Sequence, residues 1–427
     1  MNGVLDPRWG ETVFHNRLED GLDIWAVPRK GSRQKAAILC VEYGSVDLEL
    51  KDQTSSRIHK TPPGTAHFLE HRLFEKRYGD ITERFNVLGG EVNASTSFTT
   101  SVFSLTCIEN FIANLDLLFE LVLNLEIATE GVDREREIID RELEMGRDDP
   151  EWIGFFHGLR ALYRDAPLAI DMAGTRESLA QIDAQTLKLC HQVFYRPKFM
   201  GIYLCGDIDL EAVCRSAEAN LMKYRRGTLP WERAERPVVV PAPQQLERLE
   251  VPVNRPYSLL FFGDREVGLS GSALLYRELA LELALDIAFG PASDFFARHY
   301  DDGLIDGDAF GAEVYAEPSF CFSAVGGYTE DSQRLTEEIC STLQGLEALI
   351  AEDFSRAKRK AYGQLVRSCE QVEQVADLLC SAALSGANPC EFFDVYSNIS
   401  IGEILAVLDG GLSVSQMGAV EIRPMVI

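Results

Sequence analysis

The stretch His67-Phe68-Leu69-Glu70-His71 places two histidines one helical turn apart, with a carboxylate between them. An α-helix advances about 100° per residue, so His67, Glu70 and His71 lie on one face. The residues Pro62-Pro63-Gly64 before this run predict a loop and a helix start. An apolar stripe beside the histidines predicts that the helix is half-buried, and it consists of Ala66, Leu69 and Leu73. Two imidazoles held in this way can bind one metal ion, and the alternative is coincidence in a chain with 7 histidines.

A catalytic zinc ion usually has three protein ligands, so a third ligand is expected elsewhere in the chain. Residues 133–147 contain no proline, and no glycine before Gly146, which predicts a helix. One face of this helix is expected to be buried, and it carries Glu135, Ile138, Ile139, Glu142 and Met145. A solvated helix with ion pairs explains the other acidic residues, but a buried carboxylate needs a cation or donors. Glu142 is therefore the candidate third ligand.

The H-x-x-E-H order followed by E-x-x-x-x-x-x-E resembles the pitrilysin and insulinase family of zinc metallopeptidases, the inverzincins. In this chain the second motif runs from Glu135 to Glu142, and Glu142 follows His71 by 71 residues. The resemblance implies that His67, His71 and Glu142 bind one Zn²⁺ per chain. It also implies that Glu70 is the general base and that Glu135 orients a ligating histidine.

A second segment of similarity lies between the two motifs. Residues 88–97 are similar to the G-G-x-x-N-A-x-T segment of the family, and the alternation over residues 92–107 predicts a strand or hairpin. The resemblance implies an edge strand that binds substrate main chain to main chain. The implied substrate-binding residues are Asn93, Ala94, Ser95 and Thr96. The alternative is that Asn93 only caps a turn after the Gly89-Gly90 pair.

The length of 427 residues is too great for one core. We predict an α+β fold of two homologous domains, each an antiparallel-rich sheet flanked by helices, as in pitrilysin and mitochondrial processing peptidase. The predicted domains are 1–223, which binds zinc and is catalytic, and 246–427, which has the same fold without the metal motif. The proline-rich residues 224–245 are predicted to link them. In the second half, helical (279–300), strand-like (303–328) and amphipathic (332–350) segments repeat the order of the first half.

Charge and composition exclude several partners. Lys and Arg total 41 against 67 for Asp and Glu, which gives a net charge of −26 and argues against nucleic acid. No apolar run is long enough to span a bilayer, and the N-terminus lacks the pattern of a signal peptide. The 10 cysteines include no C-x-x-C pair, so we expect reduced thiols and a cytoplasmic protein.

The second half departs from the family in one place. Many relatives carry there an arginine and a tyrosine that hold the substrate over the metal. In this chain Asp294 lies near the position of the arginine and Asp306 occupies that of the tyrosine, while Arg298 and Tyr300 stand at the wrong offsets. We therefore expect a homodimer, or a heterodimer with a related chain that supplies the arginine and tyrosine.

The resemblance implies a zinc endopeptidase that hydrolyses short or unfolded peptides, bound as an added β-strand in a chamber between the domains. Two alternatives are a non-catalytic structural subunit of a larger processing complex and a peptide-binding scaffold that keeps zinc for stability. The structural subunits of the family usually lose the histidines or the glutamate, and this chain has kept them.

Overall fold

The computed structural model describes residues 2–127, 129–225, 227, 229–242 and 245–425. Two compact units are present, and neither is contiguous in sequence. Unit 1 combines residues 1–143, 171–236 and 366–384, and unit 2 combines 144–170, 237–365 and 385–427. Each unit thus includes one segment from the opposite half of the sequence, which the contiguous boundaries 1–223, 224–245 and 246–427 do not describe. The boundaries 1–223, 224–245 and 246–427 remain our proposal for how the sequence divides into two related halves and a linker.

The strands and helices follow one another along the chain in a mixed order. The strands are β1 (Asn2–Asp6), β2 (Glu11–Arg17), β3 (Asp23–Pro28), β4 (Lys35–Val41), β5 (Glu49–Asp52), β6 (Ile58–Lys60), β7 (Glu75–Lys76), β8 (Gly79–Asp80), β9 (Gly90–Thr96), β10 (Ser101–Cys107), β11 (Met200–Gly206), β12 (Trp231–Arg233), β13 (Gln245–Val251), β14 (Tyr257–Gly263), β15 (Gly311–Glu317), β16 (Phe320–Tyr328) and β17 (Met417–Pro424). The helices are α1 (Thr65–Phe74), α2 (Thr82–Leu88), α3 (Phe111–Leu123), α4 (Thr129–Gly146), α5 (Pro150–Tyr163), α6 (Arg176–Leu179), α7 (Ala184–Phe194), α8 (Leu210–Lys223), α9 (Ser272–Phe289), α10 (Asp294–Asp301), α11 (Ser332–Gln344), α12 (Leu346–Ser368), α13 (Val372–Ser385), α14 (Cys390–Asn398) and α15 (Ile401–Gly411). Short 3₁₀ turns cover Pro167–Ala169, Pro197–Phe199 and Val414–Gln416.

The main sheet of unit 1 has the strand order β1-β2-β3-β11-β4-β10-β9. β3 and β11 run parallel, and the other neighbouring pairs are antiparallel. β9 forms one edge, and it pairs with β10 as the hairpin predicted for residues 92–107. Two small sheets, β12-β5-β6 and β7-β8, complete the described strands of this unit.

The sheet of unit 2 repeats this arrangement. Its strand order is β13-β17-β14-β16-β15, with β13 and β17 parallel and the remaining neighbours antiparallel. The order and directions match those of β3-β11-β4-β10-β9 in unit 1. The predicted α+β fold with two domains of one topology is therefore confirmed.

The core of unit 1 holds α1 against the sheet. Ala66, Leu69 and Leu73 are 2%, 0% and 0% exposed, which confirms the predicted apolar stripe. β10 alternates in burial along its length, and Phe103 and Leu105 point into the same core. Each fully buried leucine contributes about 1.5–3 kcal/mol. The opposite face of α1 is therefore fixed in position, and it carries the two histidines.

The helical prediction for residues 279–300 is wrong in one respect, because two helices cover this stretch. α9 ends at Phe289 and α10 starts at Asp294. Pro291 lies between them, and the Ser293 side chain accepts a hydrogen bond from the Phe296 amide at 3.1 Å as the N-cap of α10. The amphipathic segment 332–350 is likewise divided, between α11 and α12 at Gly345. In the described part of the chain, no helix combines the length and apolar character needed to cross a membrane.

Candidate metal centre

Helix α1 presents His67, Glu70 and His71 on one face, as the spacing predicts. The helix begins after Gly64, whose φ of +87° is the left-handed conformation that glycine adopts readily. A Cβ at this position would lie 2.4 Å from the Ala173 carbonyl oxygen, so the close approach of the two segments also requires glycine. The start of α1, and with it the placement of His67, depends on this contact.

Helix α4 brings Glu142 to the two histidines. Glu142 Oε2 lies 3.9 Å from His67 Nε2 and 3.6 Å from His71 Nε2. The two imidazole rings are 4.5 Å apart between centroids, at an interplanar angle of 65°. In the described residues, these three side chains form the one cluster of His, Cys, Asp or Glu with ligand atoms all within 4.8 Å of one another. The three residues predicted to hold a metal are thus together.

The buried face expected for α4 is only partly present. Glu135 and Ile139 are 8% and 0% exposed, but Ile138 and Met145 are 40% and 72% exposed, and the Glu142 side chain is 42% exposed. The buried stripe of α4 instead consists of Val132, Glu135, Ile139 and Leu143. One residue turns the helix by about 100°, so Glu142 lies beside this stripe and its carboxylate is open to solvent.

The donor set fits a divalent metal that accepts nitrogen and oxygen ligands. Ligand atoms about 2.0–2.2 Å from a tetrahedral zinc ion are separated by roughly 3.3–3.6 Å. The separations of 3.9 Å and 3.6 Å between Glu142 and the two histidines are close to this range. Burial, with a smaller contribution from His71, lowers the pKa of His67 to about 3. His67 is therefore neutral at pH 7, and the neutral ring has one nitrogen lone pair that can bind a cation.

Glu135 contacts one of the two histidines directly. His71 Nδ1 lies 3.0 Å from Glu135 Oε1. Burial lowers the pKa of His71, but the hydrogen bond to Glu135 and the negative charges of Glu142 and Glu70 together raise it above its ordinary value. Since the carboxylate accepts, the neutral ring keeps its proton on Nδ1 and offers Nε2 to the metal position.

Glu70 lies beside the metal position without belonging to the ligand cluster. It is 7% exposed, and its Oε2 accepts a hydrogen bond from Thr96 Oγ1 at 2.6 Å. Burial raises the pKa of Glu70, and the Thr96 hydrogen bond and the charge of His71 oppose that rise. A carboxylate with a raised pKa is a stronger proton acceptor once it is ionised. The family resemblance implied a substrate-binding role for Thr96. It did not indicate the hydrogen bond between Thr96 and Glu70.

A cavity of about 540 Å³ opens beside Glu70 and His71. Asn93 and Ala94 of the edge strand β9 contribute to its lining, as do Phe74 and Ile138. Asn93 lies within β9 opposite Ser104, so the alternative that it caps a turn is wrong. The exposed Ser95 is not among the described residues that line this cavity.

In unit 2, the positions expected for the substrate-holding arginine and tyrosine carry other contacts. Asp306 Oδ2 accepts a hydrogen bond from Arg255 Nη1 at 2.7 Å. Asp294 is in the first turn of α10, and Tyr300 near its end is 58% exposed. At the position expected for the tyrosine, this chain therefore has an aspartate, Asp306, that forms an ion pair with Arg255.

Thr96→Val tests the contact with Glu70. If Glu70 acts as a general base, loss of this hydrogen bond to its charged carboxylate is expected to lower kcat/KM about 10- to 150-fold at neutral pH, since such a bond contributes about 1.5–3 kcal/mol. Because the Thr96 bond lowers the pKa of Glu70, its removal should raise that pKa. As the pH falls, Glu70 would then become protonated at a higher pH than in the wild type. The acid limb of the pH–rate profile should therefore move to higher pH. Thr106→Val on the neighbouring strand β10 is the matched control, and an unmoved acid limb in Thr96→Val would contradict this role.

Comparison with known proteins identifies the family. Residues 53–176 match the model described as insulinase (peptidase family M16), and residues 181–361 match the model described as the peptidase M16 inactive domain. The chain belongs to peptidase family M16. The site described above lies within the first M16 match, and the second match covers much of unit 2.

Relatives of this M16 chain extend over its whole length. It is 29% identical over 416 residues to a Bacillus subtilis protein named "Uncharacterized zinc protease YmfH", with 97% of each chain covered. The chain also matches a crystal structure from Alicyclobacillus acidocaldarius of a protein described as M16-like. The TM-score is 0.90, the identity is 28%, and 99% of each chain is covered. Pitrilysin matches in fold, with a TM-score of 0.72, 15% identity and coverage of 99% of this chain and 46% of pitrilysin.

Proposed function

We propose that this M16 chain is a zinc-dependent endopeptidase that hydrolyses short or unfolded peptides. The observation that carries the proposal is the convergence of His67 Nε2, His71 Nε2 and Glu142 Oε2, with ligand atoms within 4.8 Å of one another. Two imidazoles and one carboxylate are the ligand set that leaves zinc a fourth position for water. The family membership and the names of the relatives support the same chemistry.

The residues around the proposed metal position each have a separate role in peptide hydrolysis. Zinc, when bound, supplies Lewis-acid polarisation of the scissile carbonyl and of the attacking water. Glu70 accepts the proton of that water and passes it to the leaving amine nitrogen as the C–N bond breaks. Thr96 holds the Glu70 carboxylate in place through its 2.6 Å hydrogen bond. Glu135 accepts a hydrogen bond from the Nδ1–H of His71, so that the Nε2 of His71 would hold the metal.

Strand β9 is the proposed platform for the substrate. It is an edge strand, and an extended peptide can pair with its free main-chain groups by β-augmentation. Asn93 and Ala94 place this edge at the cavity that also contains Glu70 and His71. Main-chain pairing tolerates many side chains but demands an extended substrate, which favours short or unfolded peptides over folded proteins.

A second chain is part of the proposal. Asp294 lies near the position, and Asp306 occupies the position, where the family resemblance implies the arginine and tyrosine that hold the substrate. Both positions carry a carboxylate in place of a guanidinium or a phenol, and the carboxylate of Asp306 accepts a hydrogen bond from Arg255. We propose that a related chain supplies the pair in a heterodimer, because a second copy of this chain would carry the same two aspartates.

Metal removal tests the proposed activity. The purified chain is treated with a chelator, and turnover of an unstructured fluorogenic peptide is measured before and after zinc is restored, both alone and with a related chain that carries the arginine and tyrosine. We expect turnover that disappears with the metal and returns with it, and that is larger with the second chain. Turnover that persists in the metal-free protein would contradict the zinc mechanism, and full turnover by the chain alone would contradict the need for a second type of subunit.

A further inference from the structure

Arg72 is a charged residue in the core of unit 1. It follows His71 directly on α1, and it is 1% exposed, between the half-buried His71 and the buried Leu73. A buried guanidinium is unfavourable unless it is paired and hydrogen-bonded. The groups that pair with the Arg72 guanidinium therefore indicate its role in the fold.

The partners of Arg72 connect α1 with α4. Its Nη1 donates to the Gly131 carbonyl oxygen at 3.5 Å and lies 3.6 Å from Glu135 Oε2. The same guanidinium contacts Glu75, just after α1. The other oxygen of Glu135, Oε1, lies 3.0 Å from His71 Nδ1. The Glu135 carboxylate thus bridges Arg72 and His71 through its two oxygens.

The first turns of α4 are closely fitted to this arginine. A Cβ at Gly131 would lie 2.9 Å from Arg72 Nη2, so the glycine lets the helix backbone approach the guanidinium. Arg134 of α4 pairs with Glu75, which is itself a partner of Arg72. α4 is therefore attached to the end of α1 through Gly131, Arg134 and Glu135. Glu142 follows Glu135 by two turns of the same helix, at a rise of about 1.5 Å per residue.

We propose that Arg72 is a positioning residue that sets the spacing between the two helices that carry the metal ligands. By fixing Glu135 it orients His71, and by fixing the first turns of α4 it places Glu142 opposite both histidines. The inference rests on the proposed function, because it assumes that these residues bind a metal. Arg72 touches no substrate, and its effect passes through Glu135 and α4.

Three variants test this role: Arg72→Met, Arg72→Lys, and Arg77→Met as the matched control. The Arg77 side chain is 90% exposed and contacts only Glu126 at 3.8 Å among the described residues. The zinc affinity of each full-length protein is measured by competition with a chelating dye, well below the unfolding temperature. The visible spectrum of the Co²⁺-loaded protein reports the ligand geometry.

Arg72→Met is expected to weaken zinc binding about 10- to 100-fold, as is typical when a group that orients a ligand is removed, and to change the cobalt spectrum. Arg72→Lys keeps the charge without the planar fork, so its affinity should fall between those of Arg72→Met and the wild type. Arg77→Met should match the wild type. If Arg72→Met does not fold, Arg72→Lys decides alone: weakened zinc binding supports the role, and unchanged binding overturns it.

Wild-type zinc affinity and an unchanged cobalt spectrum in Arg72→Met would overturn the positioning role while leaving the proposed peptidase intact. Failure of the wild-type chain itself to bind zinc would overturn both. The two failures are therefore distinguishable in one set of titrations.

Discussion

Glu70→Gln is expected to abolish peptide hydrolysis and to leave the metal bound. Glutamine has the shape of glutamate, and its carbonyl oxygen can still accept the hydrogen bond from Thr96. It cannot take a proton from water, so the general-base contribution is lost and kcat should fall by about 10²- to 10⁴-fold. Glu70 is not one of the three clustered ligand residues, so zinc binding should be retained.

The measurement is kcat with an unstructured peptide, together with the zinc content of the same preparation. Glu137→Gln on the exposed side of α4 is the matched control, and it should have wild-type values for both. Unchanged turnover in Glu70→Gln would remove Glu70 from its role as base. Loss of zinc together with turnover would show that Glu70 binds the metal.

His71→Ala is expected to empty the metal site. The change removes the imidazole nitrogen that lies 3.6 Å from Glu142 Oε2, and only His67 and Glu142 remain as ligands. Structural zinc sites in peptides bind with about 10–16 kcal/mol over four ligands, so the loss of one ligand should weaken binding by roughly 10²-fold or more. Hydrolysis should be lost with the metal.

Zinc content after extensive dialysis is the measurement for His71→Ala. The control is His59→Ala, because His59 is an exposed residue of β6 in the small sheet β12-β5-β6. One zinc per chain in dialysed His71→Ala would discredit His71 as a ligand. The same loss of zinc in His59→Ala would point to a general effect on metal retention.

Local sequence patterns predicted the elements that carry the site. The H-x-x-E-H spacing and the stripe of Ala66, Leu69 and Leu73 indicated α1 and the face that it buries. The alternation over residues 92–107 indicated the β9-β10 hairpin. These features were predictable because the spacing of apolar residues in a helix or hairpin repeats within a few residues of the sequence.

The contacts between these elements were not predictable from local patterns. Thr96 lies 26 residues from Glu70, and Glu135 lies 64 residues from His71, so each pair meets only through the packing of separate elements. The exposure of Glu142 also depends on how α4 is rotated against the core. Arg72 did carry a usable signal, because an arginine beside the apolar stripe of a half-buried helix needs a buried partner.

The proposed function depends most directly on where zinc binds in the protein. Anomalous diffraction from crystals of the zinc-loaded wild-type chain, measured on both sides of the zinc absorption edge, locates the ion. We predict one peak about 2.0–2.2 Å from His67 Nε2, His71 Nε2 and a Glu142 carboxylate oxygen. Zinc-saturated crystals with no peak at this position, or with a peak beside other residues, would contradict the proposed metal site.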